Sequence, residues 1–308
     1  MGTRSAIEWT DATWNPWQGC TKVSEACAHC YMFRDMRRYG RDPSIVRRSS
    51  PATFKLPLKR TRVGNFAIPA GWKVFTCSWS DWFHKSADAW RAEAWEIIRQ
   101  RQDVIFQIVT KRTDRIRECL PADWGDGWNN VWLIATVENQ HWADIRIQQL
   151  LDVPAIVRGL SCEPLLGPID LGLRNWAHIR RDDCRIDWVI VGGESGPGAR
   201  PMHPAWANWI LEDCDQAFVP FFFKQWGEWA PLSPETPARP GSKLAFVDRA
   251  GAVEYHQFTG RLLNLAITEE AMVHVGKKAA GRLLGGREYN EFPHSHFPRY
   301  YADADTSV

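Results

Sequence analysis

Ala155-Ile156-Val157-Arg158-Gly159-Leu160-Ser161-Cys162-Glu163-Pro164 is the stretch whose pattern decides the fold. A short run dominated by apolar residues ends abruptly in polar and charged ones. The pattern recurs along the chain: Lys73 to Cys77 runs into Ser78-Trp79-Ser80-Asp81, and Val104 to Val109 into Thr110-Lys111-Arg112. Val131 to Ala135 runs into Thr136-Val137-Glu138-Asn139, Trp188 to Val191 into Gly192-Gly193-Glu194-Ser195, and Val219 to Phe223 into Lys224-Gln225-Trp226. Continuous apolar runs alternating with helical stretches are the signature of parallel strands covered on both faces.

The run ends fix the architecture. Lys111, Glu138, Glu163, Glu194 and Lys224 all stand where a strand gives way to a loop. In a parallel barrel the C-terminal strand ends converge on one mouth, where active sites are built. The expectation is an α/β fold of six to seven strands, the first just before Cys20, forming a full or partial parallel (β/α) barrel. An open doubly wound sheet is the alternative. Ala87 to Arg101 and Trp206 to Ala217 read as helices packed on the sheet. Residues 1–230 hold this barrel and a three-cysteine motif; residues 231–308 read as a proline-rich loop insertion and a C-terminal extension, with a helix near Glu269 to Leu284.

Composition narrows the classes. The chain has 308 residues and no apolar run long enough for a membrane span. Met1 to Asp11 lacks a secretion-signal pattern, so the cytoplasm is expected, and the eight cysteines read as reduced thiols or metal ligands. Net charge is only +2 but unevenly spread: Arg34, Arg37, Arg38, Arg41, Arg47, Arg48, Lys55, Lys59, Arg60 and Arg62 face only Asp35 and Asp42 between Arg34 and Arg62. Such a stretch suits a nucleic-acid partner, and a solvated surface explains it equally well. Of eighteen tryptophans, most are expected in the core or in pocket walls, with Trp79 and Trp82 as candidates to stack on a base.

Cys20, Cys27 and Cys30 form a C-x6-C-x2-C motif. Three thiolates with an open fourth position fit a [4Fe–4S] cluster that leaves one iron free. Zinc is the competing metal, with His29 or His84 as fourth ligand, and plain buried thiols are the third reading. Cys77, Cys119, Cys184 and Cys214 read as core residues, Cys162 as inert packing or a redox relay, and His294-Ser295-His296 as a tail without metal. Gly192-Gly193-Glu194-Ser195-Gly196-Pro197-Gly198 is flexible enough to approach a ligand or simply to turn before the next helix. Glu138 and Glu163 at strand ends suit cation binding, substrate orientation or proton transfer, or else an ion-pair ring with Lys111, Arg112 and Lys224.

Ile7-Glu8-Trp9-Thr10, the three cysteines, Ser161 to Pro168, Gly192 to Gly196 and Phe223 to Gly227 together resemble the phage Gp37/Gp68 family, over about Ile7 to Pro293. That family is similar to radical S-adenosylmethionine enzymes, although the first cysteine gap here is three residues longer than the commonest C-x3-C-x2-C spacing. The resemblance implies a [4Fe–4S] cluster on Cys20, Cys27 and Cys30, with S-adenosylmethionine on the open iron and an electron donor as partner. It implies Ser78, Ser80 and Asp81, or Gly192, Gly193 and Glu194, as cofactor-binding candidates; the strand-end charges add Glu138 to these and give Glu163 and Lys224 as catalytic candidates. A zinc- or cluster-containing nucleic-acid-binding protein without catalysis is the runner-up. A metal-dependent hydrolase using Glu138, Glu163 and Glu194 is the third reading.

Overall fold

The computed structural model describes residues 4–173, 185–260 and 269–293. Seven strands form one all-parallel sheet: β1 (Ala12–Trp14), β4 (Lys73–Thr76), β5 (Ile105–Thr110), β6 (Val131–Thr136), β7 (Val157–Cys162), β8 (Trp188–Gly192) and β9 (Phe221–Gln225). They lie in that spatial order, each strand beside its successor, and β1 does not pair with β9. This is the winding of a parallel barrel that stops short of closure. The order never reverses, so the doubly wound alternative, which needs a switch point, is excluded. Between β1 and β4 run β2 (Trp17–Gln18), α1 (Tyr31–Arg38), β3 (Arg47–Arg48) and the helical turn α2 (Pro51–Phe54). The longer connections are α3 (Asp88–Gln100), α4 (Gln140–Leu151) and α5 (Pro204–Ala217), α3 and α5 close to where the periodicity put them.

Side-chain alternation along the strands sorts the core into two layers. Val74, Phe106, Ile108, Leu133, Leu160, Val189, Val191 and Phe223 pack with helix residues such as Ala94, Ile98, Ile147 and Ile210. The intervening positions, Ile105, Trp132, Ile134, Val157, Trp188, Ile190 and Phe222, form a second cluster with Trp9 on the other face. Trp188 is its hub, with ring centroids 5.6 Å from Trp132 and 6.3 Å from Trp9. Continuing the same parity toward the C-terminal strand ends leads from Val109 to Lys111, from Ser161 to Glu163 and from Phe222 to Lys224. The aromatic cluster therefore fills one end of the concave face and the charged residues occupy the other.

A second sheet is antiparallel, in the order β10 (Trp229–Pro231), β13 (Glu269–His274), β11 (Lys243–Asp248) and β12 (Val253–Gln257). The helix expected near Glu269 to Leu284 is corrected here. Glu269–His274 is a strand paired on both sides, and only Lys277–Ala280, α6, is helical. Pairing with β10 and β11 overrides a local helical pattern, and Gly276 with φ +84° separates strand from turn. Cys184 and the His294 to His296 segment lie outside the described residues.

Candidate functional site

A cavity of about 760 Å³ opens at the C-terminal ends of the seven strands. Cys20, Cys27, Cys30, Ser78, Ser80, Asp81, Lys111, Glu163, Gly193, Glu194 and Lys224 all line it. Residues spread over more than two hundred positions thus share one wall, because every strand ends at the same mouth.

The cysteine segment spans this mouth and is tied to the ends of several strands. Asn15, just after β1, holds Ser78 through Nδ2 (2.9 Å) and accepts from the Trp79 amide through Oδ1 (2.7 Å). Ser80 donates to the Gly19 carbonyl at 2.5 Å. Arg112, after β5, donates through Nη1 to Cys20 Sγ (3.5 Å) and through Nη2 to the Thr21 carbonyl (2.9 Å) and hydroxyl (2.8 Å). Glu25, between the cysteines, accepts from Trp142 Nε1 at 3.0 Å and from Asn139 Nδ2, both at the start of α4. Arg200 Nη2 reaches the Glu25 carbonyl from the loop after β8 at 3.2 Å. Nothing in the cysteine spacing announces Arg112, Glu25 or Arg200; their signal is only that each is charged beside a strand end or a cysteine.

The predicted carboxylates divide by what they face. Asp81, 4% exposed, accepts from the Thr110 hydroxyl (2.8 Å), the Phe83 amide (2.9 Å), the Lys111 amide (3.0 Å) and Arg112 (3.1 Å). With all that capacity spent, it anchors the loop. Glu138 is fully buried beneath the cavity wall, 2.8 Å from both Lys111 Nζ and Arg146 Nη1, and does not line the cavity. Burial works against the charge of Lys111, but Glu138 outweighs it and holds the ammonium above its usual pKa. Glu194 is clamped by Arg200 at 2.6 and 2.8 Å. Glu163 Oε1 accepts from Lys224 Nζ (2.6 Å) and Gln225 (3.3 Å), while Oε2 has no hydrogen-bond partner among the described residues. The ion-pair reading thus holds for Glu138 with Lys111 and for Glu163 with Lys224, Arg200 plays the same part for Glu194, and Glu163 with Lys224 is the pair presented to the cavity.

The β8–β9 pairing is irregular at Lys224. Val191 pairs with Phe223 but Gly192 pairs with Gln225, so Lys224 is the extra residue of a bulge. A bulge re-aims the side chain it carries. The glycines beside it serve backbone crossing: a Cβ on Gly193 would lie 2.0 Å from the Trp226 carbonyl oxygen, and one on Gly227 2.1 Å from that of Glu194. Gly192 is not in the cavity wall. Gly198, with φ +79°, lets the His29 ring sit 2.8 Å from where a Cβ would be, so this loop closes against the cysteine segment.

Three soft sulfur donors on one wall suit a metal cluster. Burial, reinforced by Asp81, pushes the Cys20 thiol up to about 11 against the pull of Arg112, and burial also raises Cys30. A cationic group between these sulfurs would supply the missing charge, so the donor set fits. Among the described residues, however, no three His, Cys, Asp or Glu side chains already stand close enough to share an ion. His84 does not offer a fourth ligand: Nδ1 accepts from the Ser86 amide (3.2 Å), and Nε2 faces the Thr21 hydroxyl (3.1 Å). Trp82 is fully buried against Trp17, so of the two expected stacking tryptophans only Trp79 reaches the cavity. Cys162 is fully buried in the helix-side core. No helix among the described residues is long and apolar enough to cross a membrane.

No curated protein and no solved structure matches this chain. A family model described as Protein of unknown function (DUF5131) matches residues 4–293, nearly the whole length, and the chain belongs to that family.

Proposed function

We propose that this is a radical S-adenosylmethionine enzyme, as its resemblance to the phage Gp37/Gp68 family implies, with a [4Fe–4S] cluster held by Cys20, Cys27 and Cys30. The observation that carries the reading is the presence of all three thiols in one strand-end cavity with Glu163 and Lys224. When bound, the cluster supplies one-electron reduction of S-adenosylmethionine, the electron coming from an external donor. Arg112, locked by Asp81 and Thr21, donates to Cys20 Sγ and fixes the loop. Glu163 has one oxygen held by Lys224 and the other available to an ammonium group, which makes it the best-placed acceptor for an amino acid moiety. Lys224 holds a proton at Nζ within hydrogen-bond reach of Glu163 and the cavity. Ser78, Ser80 and Gly193 shape the wall, and the Tyr31 hydroxyl, donating to the Ser78 carbonyl, pins α1 over it. The substrate side of the reading is a nucleic acid reaching the cavity along the basic residues of α1, in the cytoplasm.

The test is anaerobic incubation of reconstituted protein with S-adenosylmethionine and a strong reductant. Release of 5′-deoxyadenosine is expected, and its loss on Cys20→Ala, Cys27→Ala or Cys30→Ala. Glu163→Gln should raise the dissociation constant for S-adenosylmethionine at least tenfold with cluster content unchanged. No cleavage by a protein carrying its full cluster would refute the reading.

A further inference from the structure

We propose that the arginine face of α1 and the ridge behind it bind single-stranded nucleic acid and lead one unpaired base into the cavity. The binding step stands on the surface alone; only the fate of the base rests on the enzymatic reading above.

Charge asymmetry is the first observation. Residues 34–62 hold ten cations and two anions, a local excess of +8 in a chain of net charge +2, so the remainder carries −6. The structure does not spend most of this excess. Arg48 is committed to Glu93 at 2.7 Å and stacks on Phe54, and Arg34 touches Asp35 at 2.9 Å. Arg37, Arg38, Arg41 and Arg47 are exposed, and among the described residues no carboxylate lies within ion-pair distance of them. Asp42, the other anion, accepts from the Ser44 amide (2.9 Å) and hydroxyl (2.7 Å).

Geometry connects the patch to the site. α1 buries Met32, Phe33 and Met36, which turns Arg34, Arg37 and Arg38 outward. Arg34 lines the cavity, its Nη1 lying 2.7 Å from where a Cβ on Gly196 would be. At the far end, Arg41 donates to Gln18 at 3.1 Å, and Gln18 is the strand partner of Arg47. That ridge backs the cysteine segment: the Cys20 amide donates to the Pro43 carbonyl at 2.8 Å, and Gly19 fits against Ile45 with no room for a Cβ. A polyanion lying on the ridge and α1 would therefore end at the cavity rim.

Strandedness follows from two features. Tyr39 stands 69% exposed in the middle of the arginines, where an aromatic ring has no packing role and offers a face for a base. The cavity it leads to is concave and walled by Tyr31, Phe33, Phe75 and Trp79, so a base reaches it only when out of the duplex stack.

Fluorescence anisotropy with labelled dT and U oligomers of about 20 nucleotides, a duplex of equal length and anionic phosphatidylserine vesicles tests this. Contact with about four phosphates predicts a fall in affinity of about 50-fold between about 50 and 200 mM salt, from a slope of about −0.7 per contact. Charge reversal at Arg37, Arg38, Arg41 and Arg47 together should weaken binding at least tenfold, with the thermal midpoint and iron content unchanged. Tyr39→Ala should weaken oligomer binding at least fivefold and leave duplex binding as it was; Tyr39→Phe should restore it. Absence of oligomer binding at the lowest salt, equal affinity for duplex, or tighter binding to vesicles would overturn the proposal. Oligomer binding by protein that takes up no iron would sink the enzymatic reading and leave this one standing.

Discussion

His84 shows how a single residue ties pH to the site. Burial, helped by Arg112, holds its imidazole below the ordinary value, so the folded state favours the neutral ring. Protonation would turn Nδ1, which now accepts from the Ser86 amide, into a donor facing a donor. The unfolded chain takes up a proton near the usual imidazole pKa of about 6.5 and the folded chain only below that. Stability from this residue is therefore complete above about pH 7 and lost as pH falls through the 6.5 region. The thermal midpoint should drop between pH 7.5 and 5.5, and His84→Asn, which keeps a capping acceptor without titrating, should flatten that part of the profile. An unchanged slope in the variant would contradict the assignment. At this scale the sequence was only partly legible. The cysteines and the strand-end charges are visible as types and positions, but whether a carboxylate faces a cavity or an arginine is decided by partners far along the chain. Asp81 and Glu138 are occupied by Arg112 and Arg146, so they hold the wall together without offering oxygen to a ligand.

Among elements, the β8–β9 junction controls what the cavity presents. The bulge at Lys224 and the interlocked backbones of Gly193 and Gly227 place Lys224 against Glu163. Gly193→Ala should cost about 1–3 kcal/mol, because the new methyl meets a backbone carbonyl that cannot move aside without shifting β9. The matching substitution Gly241→Ala, where a Cβ would meet nothing but φ is +91°, should cost only about 1 kcal/mol. Chemical denaturation of the two variants checks this, and equal losses would show that the crossing is not tight. The strands themselves were readable because a parallel strand covered on both faces must be apolar throughout, and the runs ending in Lys111, Glu138 and Glu163 have no other simple explanation. The strand at Glu269–His274 was not, because its partners β10 and β11 come from separate parts of the sequence and local periodicity does not register them.

For the whole molecule, the partial barrel sets the division of labour. One end of the concave face is filled by Trp9, Trp132, Trp188 and Phe222, and the other is left open beneath the cysteine segment. That segment is fastened to the ends of β4, β5 and β6 and to the loop after β8, so a metal held there would be placed relative to those walls of the cavity. Strand order was legible from the regular succession of units, but the failure to close was not, since each unit looks alike whether the ring is complete or open. The most direct measurement is the iron and acid-labile sulfide content of anaerobically purified protein, alongside Cys20→Ala, Cys27→Ala and Cys30→Ala, with Cys119→Ala and Cys214→Ala as controls. About four irons and four sulfides per chain are expected, lost in the first three variants and kept in the two controls. Stoichiometric zinc without sulfide, or iron that survives loss of any of the three cysteines, would contradict it.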